Sequence, residues 1–243
     1  MPLWAARIAY LIIALLVGGS ATRADDLSDF NAAVDTVSTH NRAAIGYLRT
    51  GNIDLASLQI ERLRDAWSRF TERFSARRPD AFANNTLYSK LFTGVSARLV
   101  GADIMLKTGR LDAARNGLEA VRGDLYELRK QSGVVVLADC VRDANAMMDE
   151  LMVYNDQNVD WDSYEVRSGL ASKVSNYGAQ LVRCDGIANV TVHSAPEFRR
   201  LVDGAKASLP LVSKAIDTRD TDLLHRVLIE LRSFDNLLAF RYG

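Results

Sequence analysis

Residues 56–74 read ASLQIERLRDAWSRFTERF and show the clearest helical periodicity in the chain. Apolar residues recur there at steps of three and four, as one face of an amphipathic helix requires. They are Ala56, Ile60, Leu63, Trp67, Phe70 and Phe74. The charged residues fall mostly on the rest of the helical wheel. This stretch therefore predicts a helix with one face packed against a core.

The same pattern extends over most of the chain, which has 243 residues and only four prolines. Long segments without proline that are rich in Ala, Leu, Arg and Glu favour helix, and alternating strand-like runs are nearly absent. The predicted helices cover residues 27–50, 56–74, 87–107, 111–131, 134–154, 163–184, a segment that begins near Pro196, and 222–240. We therefore expect an all-α protein, a bundle of about eight helices.

Short turns of one pattern connect successive helices. Residues 47–56 (YLRTGNIDLA) match residues 105–114 (MLKTGRLDAA), and residues 216–224 (IDTRDTDLL) are a looser third copy. Glycine after a helix adopts the left-handed conformation without penalty, and Asp in the next first turn suits the helix dipole. The turns resemble those of tetratricopeptide hairpins, but the first two copies lie much further apart than that family's repeat of about 34 residues. They predict antiparallel helical hairpins.

The domain organisation follows from chain length. Residues 25–243 suffice for one helical bundle domain with a sizeable core. An alternative division at Ser132-Gly133 gives two four-helix halves, residues 25–132 and 133–243.

Two local features concern the seventh predicted helix. Ser194 and Glu197 have the spacing of a capping box at its start. Pro210 lies inside the helix, where it should cause a kink or a break.

The first 24 residues have the layout of a secretory signal peptide. Arg7 supplies a small positive segment, residues 8–17 (IAYLIIALLV) form an uninterrupted apolar run, and small residues follow up to Ala24. The run is shorter than the roughly 20 apolar residues of a membrane-spanning helix. An uncleaved anchor is the alternative interpretation. We expect residues 1–24 to be removed, and the mature protein to be periplasmic or secreted without an integral membrane span.

The charge balance excludes some partners. The full chain has a formal net charge of zero, and removal of Arg7 and Arg23 with the first 24 residues leaves −2. Such a chain lacks the basic footprint of a nucleic-acid-binding protein and the polybasic segment of a protein that binds anionic membranes. We expect the partner to be another exported protein.

The chain has two cysteines, Cys140 and Cys184. In an exported protein an even pair predicts a disulfide bond. Two buried free thiols and a metal or redox role are the alternatives. The motif Cys-x-x-Cys is absent, so the sequence does not favour thioredoxin-like chemistry.

Histidine and methionine side chains are candidate ligands for a non-covalent haem or for copper, held between facing helices. The candidates are His40, His225, Met148 and Met152, with His193, Met105 and Met147 as further positions. In the alternative interpretation the methionines fill the core. His40 is then a polar partner in the core, and His225 contacts Asp222 on a helix surface.

The last residues, 233–243 (SFDNLLAFRYG), are apolar and aromatic almost to the end. Chain termini are normally polar and poorly ordered. We expect this segment to pack into the bundle as part of the last helix. A partner-binding patch is the alternative.

The sequence contains none of the familiar catalytic patterns, such as Gly-x-Ser-x-Gly, His-Glu-x-x-His or a phosphate-binding glycine loop. The main hypothesis is therefore an exported, non-enzymatic helical protein that binds another protein or gives structural support. The alternative is a metal- or haem-binding bundle that serves electron transfer or copper handling. A helical hydrolase or lyase with His225 in a deep pocket is a third class.

Overall fold

The computed structural model describes the backbone of residues 4–155 and 158–243, and the side chains from Asp26 onward within those ranges. Residues 1–24, which we predict to be a signal peptide, lie outside the residues whose side chains are described. None of the described helices has both the length and the apolar character needed to cross a membrane.

All regular structure in the described ranges is helical, which confirms the predicted fold class. The helices are α1 (Trp4–Arg49), α2 (Ile53–Phe74), a short 3-10 helix (Asp80–Phe82), α3 (Leu87–Lys107), α4 (Leu111–Gln131), α5 (Leu137–Met152), α6 (Tyr164–Ile187), α7 (Val190–His193), α8 (Pro196–Thr218) and α9 (Thr221–Tyr242). The one unpredicted α-helix in these ranges is the four-residue α7. The helices form two compact units, residues 1–134 and 135–243, which we call the N-terminal and C-terminal units.

The N-terminal unit consists of two antiparallel hairpins, α1 with α2 and α3 with α4, and α1 also packs against α4. Gly51 and Gly109 follow the first helix of each hairpin with φ of 71° and 74°. Glycine reaches this left-handed region without the penalty that a Cβ atom brings. The sequence prediction for these two turns is confirmed.

Aromatic rings fill one end of this unit's core. Phe30 of α1 is fully buried, and its ring centroid lies 5.1 Å from that of Phe70, 5.3 Å from that of Phe74 and 4.8 Å from that of Phe82. The tilted and edge-to-face arrangements match the preference of aromatic quadrupoles. Phe30 therefore joins α1 to α2 and to the connection before α3.

The C-terminal unit is also built from two hairpins, α5 with α6 and α8 with α9. Helix α5 packs on α9, and α6 packs on α8. The turn between α8 and α9 places Arg219 at φ 54°, in the left-handed region that glycine occupies in the other two turns. The third copy of the turn thus has the same backbone form without the glycine.

The capping-box prediction for α8 is wrong, and of the two effects predicted at Pro210 the break is excluded. Ser194 ends α7, and its hydroxyl donates to the Val190 carbonyl oxygen at 2.7 Å, so no capping box forms. Helix α8 continues through Pro210, so the predicted break does not occur. Pro210 lies on the exposed side of α8. Water can therefore hydrate the carbonyl group that proline leaves without a helical hydrogen bond.

Candidate protein interface

Helix α3 carries some apolar residues on its outer side as well as those on its buried side. Thr93, Ala97, Val100 and Ile104 follow one exposed stripe, which we call the α3 face, and Val100 and Ile104 are each 49% exposed. A helix on a protein surface normally carries polar residues at such positions. Ala97, Val100 and Ile104 therefore form an exposed apolar stripe, which makes the α3 face a candidate binding surface.

A groove runs beside the α3 face, between α2 and α3. Its volume is about 290 Å³. Trp67 of α2 and Leu99 of α3 line it and are almost completely buried, and Val100 lines it from the exposed side. The Trp67 indole Nε1 donates to Ser96 Oγ at 3.0 Å, which fixes the position of the ring. The groove and the α3 face meet at Val100.

Charged side chains lie at both ends of the groove. Arg64 and Glu72 line it and are two turns apart on α2. The Arg64 guanidinium lies 3.7 Å from Asp103, and Ser68 donates to Glu72 at 3.3 Å. Exposed contacts of this type contribute little to stability and exchange readily. The groove can therefore accept an apolar side chain and offer a cation and an anion to the chain that carries it.

A second arrangement lies inside the C-terminal unit, around Asp235 of α9. This carboxylate is 1% exposed and accepts hydrogen bonds from Asn145 of α5 and from the Tyr177 hydroxyl of α6, the latter at 3.4 Å. Arg232 lies 3.4 Å away and also pairs with Asp149 of α5. Burial raises the pKa of Asp235 to about 6, against the opposing effect of these partners. Burial, with Asp235 beside it, also raises the pKa of Tyr177.

Sequence reasoning missed Asp235, although a signal was present. Asp235 lies one turn from Leu231 and Leu238 on the apolar side of the last helix, where a carboxylate is out of place. The network joins α5, α6 and α9, so its role in the fold is to fix their relative positions.

The structure divides the predicted haem or copper ligands between the two units. His40 belongs to the N-terminal unit, where its Nδ1 lies 3.0 Å from Gln59 Oε1. His225, Met148 and Met152 belong to the C-terminal unit. Met148 is completely buried in the core, and Met152 is partly buried against it. His225 Nε2 is buried and has no hydrogen-bond partner among the described atoms.

The remaining candidates have other surroundings. His193 Nε2 lies 3.3 Å from Asp185, which also pairs with Arg199 and Lys206. Met105 packs against the core of the N-terminal unit and Met147 against that of the C-terminal unit. Across the described ranges, the structure brings together no group of three or more His, Cys, Asp or Glu side chains that could hold a metal ion.

The two cysteines meet in the core of the C-terminal unit. Cys140 of α5 and Cys184 of α6 are buried at disulfide distance, with their Cα atoms 5.5 Å apart, which suits a disulfide bond. The Gln180 side-chain amide donates to the Cys140 carbonyl oxygen at 3.1 Å. The predicted disulfide therefore has the geometry that it requires.

Fold and surface together define an all-helical protein of two hairpin-built units, one of which carries a groove beside an exposed apolar stripe. No protein-family model, curated protein or solved structure matches the chain. Only the residues of this chain therefore bear on its function.

Proposed function

We propose that this chain is an exported, non-enzymatic protein that binds another exported protein through the α3 face and the groove beside it. The observation that carries the proposal is the exposure of Val100 and Ile104 on a helix whose opposite side is already buried. Large exposed apolar side chains beside a groove are typical of protein interaction sites.

The partner segment that fits this surface is an amphipathic helix. Two neighbouring helices form a trough that accepts the apolar side of a third helix, which is a common mode of recognition. Val100 and Ile104 lie one turn apart, as do the anchoring side chains of a docked helix at positions i and i+4. A bulky apolar side chain of the partner would enter the groove beside Trp67, with an acidic group toward Arg64.

Site-specific cross-linking in the native cell tests the surface. A photoreactive amino acid at Val100 should cross-link one particular protein, and the same amino acid at Val182 should not. Val182 of α6 is the matched control because it is also apolar, exposed and inside a helix, at 56% exposure. Cross-linking of the same protein from both positions would contradict the proposal.

Reconstitution with the purified cross-linked protein gives the second part of the test. Val100→Asp should weaken binding at least tenfold in calorimetry, because it places a charge in an apolar contact. Val182→Asp should leave the affinity unchanged. Equal affinities of the two variants would argue against the α3 face.

Export is tested separately. The full chain, expressed in an exporting bacterium, should appear outside the cytoplasm with a new N-terminus near residue 25. The proposal of export rests on the signal-peptide layout of residues 1–24. Recovery of the protein in the cytoplasm with an intact N-terminus would refute it.

The second candidate function is haem or copper binding in the C-terminal unit. It is favoured by the buried His225 Nε2, which has no partner among the described atoms. Exported protein from cells supplied with haem and copper should then contain bound copper or show a Soret band that His225→Ala removes and His193→Ala retains. A colourless, copper-free preparation would eliminate this candidate.

A further inference from the structure

Helix α9 carries a second apolar stripe, on the side opposite to its buried face. Ile229, Ser233, Leu237 and Phe240 follow one another at steps of four, four and three residues, which places them on one side of the helix. Ile229 is 55%, Leu237 44% and Phe240 49% exposed. We call these four residues the α9 stripe. At 1.5 Å per residue it spans about 17 Å.

The end of α9 is firmly packed in spite of this exposure. Leu238 is buried, and Tyr242 packs edge-to-face against Phe198 of α8 at 5.1 Å between ring centroids. The prediction that the C-terminal segment packs as part of the last helix agrees with this arrangement. The α9 stripe is therefore an ordered surface held on a helix.

We propose that the α9 stripe is a contact between two copies of this chain, in which their α9 helices pack antiparallel about a twofold axis. In that arrangement the side chains of the α9 stripe complement in size the side chains that they face in the second copy. Ser233 of one copy faces Leu237 of the second copy, and Ile229 faces Phe240 of the second copy. Each small or branched side chain thus meets a large one, as interdigitating helices require.

Charge complementarity supports a second copy as the occupant. Glu230 and Arg241 lie on the same flank of α9, beside the stripe. In an antiparallel pair related by a twofold axis, equal flanks meet, so Glu230 faces Arg241 of the second copy. The axis repeats this contact, which gives two opposite-charge pairs. In coiled coils, the charged residues that flank the apolar seam determine which helices pair and in which orientation.

The ion pairs within one copy leave Glu230 and Arg241 available to pair with the second copy. Across the described ranges, Glu230 has no cation within ion-pair distance. Arg241 lies 3.1 Å from Glu197, and both side chains are about half exposed. Such an exposed pair contributes little free energy, so Arg241 can turn to the second copy at little cost.

The contact is small, and this sets the expected affinity. Three large apolar side chains per copy bury less than the roughly 1,200 Å² of a standard stable interface. We expect a reversible dimer with a Kd on the order of 10–100 μM. The proposed partner-binding surface on α3 plays no part in it, so the two proposals can fail independently.

Sedimentation equilibrium of the full exported protein from about 1 to 500 μM tests the dimer. Leu237→Ser should raise the Kd at least tenfold. Leu211→Ser on α8 is the matched control, since Leu211 is 39% exposed and outside the stripe, and it should change the Kd less than twofold. A monomer throughout the concentration range, or equal effects of both variants, would overturn the proposal.

A charge exchange tests the antiparallel register. Glu230→Arg and Arg241→Glu should each weaken the dimer about threefold to tenfold, and the double variant should recover most of the loss. Circular dichroism checks that each variant remains helical. A double variant as weak as the single ones would contradict the register, and Val100→Asp should leave the dimer unchanged.

Discussion

Around Phe30 the N-terminal unit packs ring against ring, whereas around Asp235 the C-terminal unit buries a carboxylate between α5, α6 and α9. The C-terminal unit also places Cys140 and Cys184 at disulfide distance. Ring packing is indifferent to reductant and does not titrate. Two units built from the same hairpins can therefore respond differently to pH and redox conditions.

The largest expected effect is the loss of the central ring in the N-terminal unit. Phe30→Ala should lower the free energy of unfolding of this unit by about 3–5 kcal/mol, because it leaves a cavity between α1 and α2. Hydrogen exchange measured by mass spectrometry should show faster exchange in peptides from residues 26–134 alone. Phe240→Ala, an exposed counterpart, should cost less than about 0.5 kcal/mol. Equal losses in both units would contradict the assignment of separate cores.

Reduction of the Cys140–Cys184 disulfide should destabilise the C-terminal unit. A disulfide that closes a sequence separation of 44 residues contributes about 3–4 kcal/mol in the chain-entropy model. Dithiothreitol, or the variant Cys140→Ala with Cys184→Ala, should therefore accelerate exchange in residues 135–243 and leave the N-terminal unit unchanged. Alkylation before and after reduction reports the thiol count by mass. Two reactive thiols in untreated protein from an oxidising expression system would refute the disulfide.

Proton binding to Asp235 should make the stability of the C-terminal unit depend on pH. Burial raises its pKa from 3.8 to about 6, so the folded state binds this proton more tightly than the unfolded state. The resulting stability is complete below about pH 3.8 and is lost as the pH rises through 6. The C-terminal unit should lose about 1–2 kcal/mol between pH 5 and pH 7.5 from this group.

Asp235→Asn isolates that contribution, because the amide has no charge to bury. The stability of the variant minus that of the wild type, from urea unfolding, should increase by about 1–2 kcal/mol from pH 5 to pH 7.5. Asp149→Asn changes an exposed carboxylate that pairs with the same Arg232, and should show a smaller change. A difference that does not vary with pH would show that Asp235 titrates normally.

The sequence predicted those parts of the fold that depend on local chemistry. Helices α3 and α4 lie where their apolar periodicity and their following glycines placed them. The capping box at Ser194 failed because the residues before it form α7, and a four-residue helix leaves no periodic pattern. The Ser194 hydroxyl lies between the end of α7 and the start of α8 and could form a hydrogen bond with either helix. The sequence does not show which of the two it bonds to.

The surfaces were harder to predict than the helices. The apolar residues of α3 can be read from residues 87–106, but the groove exists only because Trp67 and Leu99 come from helices that pair in space. Asp235 was visible as a carboxylate on an apolar side. Its partners Asn145 and Tyr177 lie far away in sequence, and only tertiary packing brings them together.

Substitutions in the hairpin turns should change the free energy of unfolding least. They compare the same turn conformation in the two units. Gly109→Ala should destabilise the N-terminal unit by about 1 kcal/mol, because a Cβ atom is strained at φ 74°. Arg219→Gly should stabilise the C-terminal unit by up to about 1 kcal/mol, because it relieves the same strain at φ 54°. The two substitutions have opposite expected signs because one adds a Cβ atom in the left-handed region and the other removes it.

Arg219→Ala provides the control for the third turn. It removes the 2.7 Å ion pair between Arg219 and the exposed Asp162 but keeps a Cβ atom in the left-handed region. Its unfolding free energy should stay within about 0.5 kcal/mol of the wild type, since exposed ion pairs contribute little. If Arg219→Ala stabilised the unit as much as Arg219→Gly does, the gain would come from the lost arginine side chain. If only Arg219→Gly increased the free energy of unfolding, the left-handed backbone conformation would be the source of the strain in this turn.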